Sequence, residues 1–154
     1  MWQRIQTIYL LLATIGVFGM FFFPFGIVLS NGQIYMLGVM GLKEAFGERT
    51  LVCPVWGFTI LLILIMSLSI VTIFSFKLRI RQIRLCVFNI CLLVGFYIFF
   101  LFFFLVVVRE QYFEPVLNAK FTLSLPFVSI ILHCLAIRSI GADEALIRSL
   151  NRLR

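Results

Sequence analysis

LCVFNICLLVGFYIFFLFFFLVVV, residues 85–108, carries no charged side chain. Its Phe, Val and Ile content is strand-like, and in water such a run reads as a buried β-strand. Its length and unbroken apolarity decide otherwise. About 20 helical residues cross a hydrocarbon core about 30 Å thick. The run is therefore read as a membrane helix, because lipid offers a short segment no other partner for its backbone polar groups.

The rest of the chain follows the same pattern. Of 154 residues, 63% are hydrophobic and 12% charged, against about 25% charged in a soluble domain. So small a chain cannot hide that much apolar surface from water, and the bilayer must act as its solvent. Three more apolar runs reach spanning length, at about 5–29, 55–76 and 121–140. The last contains Pro126, His133 and Arg138, and Pro126 is expected to kink it near residues 121–122. The first run is read as an uncleaved helix. Its charged start (Arg4) is thin, its apolar stretch is too long for a signal peptide, and no A-x-A-like site follows. The expectation is an all-α membrane protein: one domain over residues 1–154, folded as an antiparallel bundle of four transmembrane helices.

The charges set its direction. KLRIRQIR, residues 77–84, joins the second and third runs. With both chain ends it accounts for Arg4, Lys77, Arg79, Arg81, Arg84, Arg138, Arg148, Arg152 and Arg154. These nine cations face two acids, Asp143 and Glu144, leaving 9 − 2 = +7. The other side holds Lys43, Arg49, Arg109 and Lys120 against Glu44, Glu48, Glu110 and Glu114, or 4 − 4 = 0. The positive-inside rule then puts both termini, loop 77–84 and tail 141–154 in the cytoplasm, with loops 30–54 and 109–120 outside. In a bacterium this is a multi-pass inner-membrane protein. Nucleic-acid binding is not expected, since no recognised fold or aromatic interleaving accompanies the charges.

Asn31-Gly32 is a turn signal, and residues 33–37 and 50–52 have strand-like composition. A small two-stranded outer cap is expected there. In the tail, Leu146, Ile147, Leu150 and Leu153 recur at helical spacing opposite Arg148, Asn151 and Arg152. Asp143 and Glu144 suit a helix N-terminus. The tail is read as a separate amphipathic helix, lying on anionic headgroups or docked on a cytoplasmic partner. Lys77, Arg79, Arg81, Arg84, Arg148 and Arg152 form the expected cytoplasmic basic surface.

One intramembrane constellation stands out. Asn89 lies five residues from Arg84, His133 five from Arg138 and Thr72 five from Lys77. Each is therefore roughly 7–8 Å along its helix from the cationic end. Asn89, His133 and Thr72 should form one polar layer, with Asn89 and His133 bonded across two helices. That is either packing glue or a path for an ion. Cys53, Cys86, Cys91 and Cys134 contain no C-x-x-C and are read as small buried thiols. No cofactor, metal site or disulfide is expected.

The opening MWQRIQTIYLLLA, the central KLRIRQIRLCVFNICLL and the closing LAIRSIGADEALIRSLNRLR resemble a bacterial membrane-protein family of the Bacteroidota, domain of unknown function 4293. The resemblance covers nearly the whole chain. It implies a four-helix inner-membrane protein and brings no activity, cofactor or catalytic residue. Taken together, the sequence points to a non-enzymatic accessory or docking subunit of a larger membrane complex. The alternative is a small transporter or channel built on the Asn89/His133 layer.

Overall fold

The computed structural model describes residues 3–30, 32–45, 51–76, 78–109 and 116–152, with side chains for 5–30, 32–45, 53–76, 78–106, 108–109 and 116–145. Helix α1 (Gln3–Gly19) leads into four strands: β1 (Gly26–Ser30), β2 (Gln33–Gly38), β3 (Gly41–Glu44) and β4 (Leu51–Pro54). Helices α2 (Trp56–Phe74) and α3 (Arg79–Phe102) follow, and α3 continues as a π-helical segment, Phe103–Val108. After β5 (Val116–Ala119), a 3₁₀ turn (Phe121–Ser124) opens α4 (Leu125–Arg152).

Three of these helices are long and apolar enough to cross a membrane, while the apolar part of α1, Ile5–Gly19, is shorter. All four carry an exposed apolar belt that includes Ile15, Ile60, Ile98 and Ile131, far more than a soluble monomer leaves uncovered. The chain is a membrane protein.

The all-α expectation is wrong. The five strands form one antiparallel sheet in the order β4-β3-β2-β1-β5, so the fold is a helical bundle capped by a sheet rather than a four-helix bundle alone. Nor is the cap the two-stranded one expected from 30–54. Its first strand comes from inside the apolar run 5–29, which is two elements. The helix ends at Gly19, and Pro24, which lacks an N–H, precedes the first sheet bond, from Phe25 N to Leu37 O at 2.7 Å. From there burial alternates along β1 with the period of a strand. Its far edge pairs with β5 from the other expected loop, Gly26 opposite Ala119 and Leu29 opposite Val116. Lys120 N closes that ladder on Phe25 O at 2.9 Å. Residues 110–115 of the same loop lie outside the described residues.

Rings fasten sheet to bundle. Phe25 meets Phe58 of α2 and Phe96 of α3 edge-on, with centroids 5.6 and 5.5 Å apart, the geometry that ring quadrupoles favour. Below them α1 packs on α2 and α4, and α3 packs on α2 and α4. Pro126 makes no mid-helix kink. It sits in the first turn of α4, where no intrahelical donor is lost. The Tyr97 hydroxyl holds that turn, donating to Leu123 O at 2.7 Å and accepting from Phe127 N at 3.0 Å.

The β2–β3 hairpin is tucked against α2, with Val55 N bonded to Met40 O (3.1 Å) and the Thr59 hydroxyl to Val39 O (3.0 Å). Gly41 makes this fit possible. Its φ is +122°, and a Cβ there would collide with the Cys53 carbonyl and lie 2.8 Å from Val55 N. Gly41→Ala should therefore cost about 1–3 kcal/mol, from backbone strain alone. Gly38→Ala, which meets nothing within 4 Å, should stay within about 0.5 kcal/mol of the wild type. Thermal unfolding of both variants in detergent checks this. Equal midpoints would mean the hairpin does not depend on Gly41.

Candidate functional site

The buried positions of every helix fall into a repeat of alternating three- and four-residue steps. They are Gln6, Leu10, Ala13 and Val17 on α1, with Met20 just past its end; Phe58, Leu62, Ile65, Ser69 and Thr72 on α2; Gln82, Cys86, Asn89, Leu93, Phe96 and Phe100 on α3; and Pro126, Ser129, His133, Ala136 and Ile140 on α4. This is the seam spacing of packed helical bundles. Asn89 and His133 are both seam residues and both fully buried.

The structure brings these two together. Asn89 Nδ2 lies 2.9 Å from His133 Nε2 and donates its other hydrogen to Ser69 Oγ at 2.6 Å. His133 Nδ1 lies 2.7 Å from the Ser129 carbonyl. A carbonyl can only accept, so Nδ1 carries the ring proton and Nε2 accepts from Asn89. Ser129 in turn donates its hydroxyl to Ala13 O at 3.2 Å. The chain of bonds runs α2, α3, α4, α1 and touches every helix. Asn89 Oδ1 is left as a buried oxygen without a partner among the described residues.

Thr72, the third expected member of the layer, is fully buried in the seam but does not join the chain of bonds. Its hydroxyl bonds Leu68 O of its own helix at 2.7 Å. Ser69 takes its place, one seam step earlier. Sequence reasoning missed Ser69 and Ser129, and the signal was there: both are polar residues in phase with the apolar seam.

The cationic end is laid out differently from the expectation. Arg81, Arg84 and Arg138 are exposed, whereas Arg79 is half-buried and its Nη1 is enclosed without a partner. Lys77 and Leu153 lie outside the described residues, as do the side chains of Leu146, Ile147, Arg148, Leu150 and Arg152. The tail is not a separate helix. Helix α4 runs unbroken from Leu125 to Arg152, since one glycine at 141 costs only about 1 kcal/mol. Asp143 is therefore mid-helix and accepts a hydrogen bond from the Gln6 side chain of α1. At 1.5 Å per residue α4 is roughly 42 Å long, more than a hydrocarbon core of about 30 Å. The four cysteines are free, and Cys91 and Cys134 are exposed on helix faces rather than buried. Among the described residues no three His, Cys, Asp or Glu side chains are grouped to hold a metal.

A family profile described as Domain of unknown function (DUF4293) matches residues 2–153. The chain belongs to that family. No curated protein matches it.

The layer makes a stability prediction. His133→Leu leaves a buried Asn89 N–H without an acceptor and should cost about 1–2 kcal/mol, whereas His133→Gln keeps an acceptor and should lose less than half of that. Thr72→Val, whose hydroxyl serves only its own helix, should barely shift the midpoint. Unfolding midpoints in detergent measure all three. A Leu variant as stable as Gln would remove the layer's structural role.

Proposed function

We propose that this member of the family is a non-enzymatic inner-membrane protein that docks a larger membrane complex through its cationic end. The observation that carries the reading is how the intramembrane polar groups are used. His133 has both ring nitrogens engaged, one by Asn89 of α3 and one by the Ser129 carbonyl of its own helix, and Asn89 has both amide hydrogens engaged in bonds to α2 and α4. Groups consumed in this way hold a bundle together and are not free to relay an ion. The charged chemistry that remains accessible is at the helix ends. Arg81, Arg84 and Arg138 are exposed there, and α4 runs on to Arg152, which places Arg148 and Arg152 in its last turns.

Orientation belongs to the same proposal. The bundle end that carries the excess of +7 faces the cytoplasm and the sheet faces outward, by the positive-inside rule. Anionic headgroups and a membrane-protein partner then compete for one basic surface. The transporter reading stays second. It draws on Asn89 Oδ1, a buried acceptor without a partner among the described residues, which is where a passing cation or water would be held.

Truncation after Ala145 preserves the Gln6–Asp143 bond and removes the basic last turns. Purified from native membranes in mild detergent, the full chain should retain a stoichiometric protein partner that the truncated chain loses. In a cysteine-free background, a cysteine at position 45 should react with an impermeant reagent in spheroplasts and one at position 81 should not. A partner retained by both chains, or labelling at 81 alone, would refute the proposal.

A further inference from the structure

We infer that the pocket between α1 and the start of α3 binds the phosphate of an anionic phospholipid. The pocket has a volume of about 550 Å³ and a divided lining. Its polar lining is Gln6, Thr7, Arg79 and Gln82, and its apolar lining is Ile8, Leu11 and Leu12 of α1 with Phe76. Gln6 and Gln82 are 6% and 3% exposed, so the polar lining is part of the packed bundle rather than a loose surface.

The polar lining has an unmet demand. Arg79 Nη1 is shielded from solvent, and no acceptor reaches it among the described residues. A guanidinium is always charged and presents only donors, so a buried, unanswered N–H calls for an anionic acceptor. Asp143 stands near this rim, but its carboxylate is engaged by Gln6. Helix α3 begins at Arg79 without a side-chain cap, so the positive end of its dipole lies beside this guanidinium. A guanidinium fork and a helix N-terminus together match the tetrahedral oxygens of a phosphate.

The apolar lining says which phosphate. Ile8, Leu11 and Leu12 are each about half exposed and lie at i, i+3 and i+4, forming one stripe that leads from the cationic end along α1. A free phosphate has no use for that wall. A phospholipid does: its phosphate sits at Arg79 while an acyl chain lies along the stripe. The inference rests on the membrane character of the chain and not on any protein partner.

The test uses the full chain in nonionic detergent, titrated with phosphatidylglycerol or phosphatidylcholine and read by native mass spectrometry. Wild type should retain one phosphatidylglycerol in preference to phosphatidylcholine. Arg79→Gln should weaken that binding about tenfold or more, as expected for a lost hydrogen bond to a charged group. Arg81→Gln and Arg84→Gln, whose side chains are exposed and outside the pocket, should change it by no more than about twofold. Ile8→Trp, which narrows the apolar path without touching the cation, should also weaken it and serves if Arg79→Gln fails to fold. Unchanged binding in Arg79→Gln, an equal loss in Arg81→Gln, or displacement of the lipid by excess inorganic phosphate would each overturn the assignment.

Discussion

A buried primary amide has two hydrogens to place, and Asn89 places them on two different helices, on Ser69 Oγ of α2 and His133 Nε2 of α4. Much of the bundle's arrangement depends on that requirement. Inside a membrane the apolar residues of a seam gain little by leaving lipid for one another, so packing and hydrogen bonds must select the partners. Leu, Ile and Phe seams can slide by a heptad at modest cost. An amide and an imidazole cannot slide, because an unpaired polar group in an apolar surrounding costs several times what a paired one contributes. The bonds from Asn89 fix α2 and α4 on α3, and the bond from Ser129 to Ala13 O then fixes α1 on α4. Four side chains thus link all four helices, and the Gln6–Asp143 bond adds a second tie between α1 and α4.

The two ends of the bundle solve different problems. At one end the short α1 stops at Gly19, and at roughly 25 Å it falls short of a full hydrocarbon core. The chain continues through residues 21–25 into the sheet, with the Phe25, Phe58 and Phe96 rings filling the junction. The sheet satisfies its own backbone between strands, and its two edges fall to β4 and β5. Among the described residues the other end has no such cap. Helices simply emerge, carrying arginines, and the half-buried Arg79 is the place where that cationic rim turns inward.

What the sequence made legible follows from how local the signal is. Counting residues inward from Arg84 and Arg138 was enough to bring Asn89 and His133 to one depth, because helices convert residue number directly into distance. The same count chose Thr72 over Ser69: both lie in the buried seam of α2, and only the hydroxyl's partner, Leu68 O for Thr72 and the Asn89 amide for Ser69, tells them apart. The sheet was hidden for a different reason. Strand β1 is apolar and continuous with a spanning-length run, so hydropathy merged it with α1, and only Pro24 marked the change. Its partner β5 is four residues in a short loop almost ninety positions away, and such pairing leaves no local trace. Pro126 illustrates the converse: a proline reads as a kink until the helix is seen to begin beside it, capped by Tyr97 from another helix.

His133 is the single histidine of the chain, which makes the central claim directly measurable. Solid-state nitrogen NMR of the protein with isotope-labelled histidine, in lipid bilayers, reports which ring nitrogen carries the proton and what lies beside it. The structure predicts a neutral imidazole protonated at Nδ1, with Nε2 accepting a hydrogen bond from the Asn89 side-chain amide. A ring protonated at Nε2 instead, or one with no contact to that amide, would contradict the claim that this pair ties the four helices together.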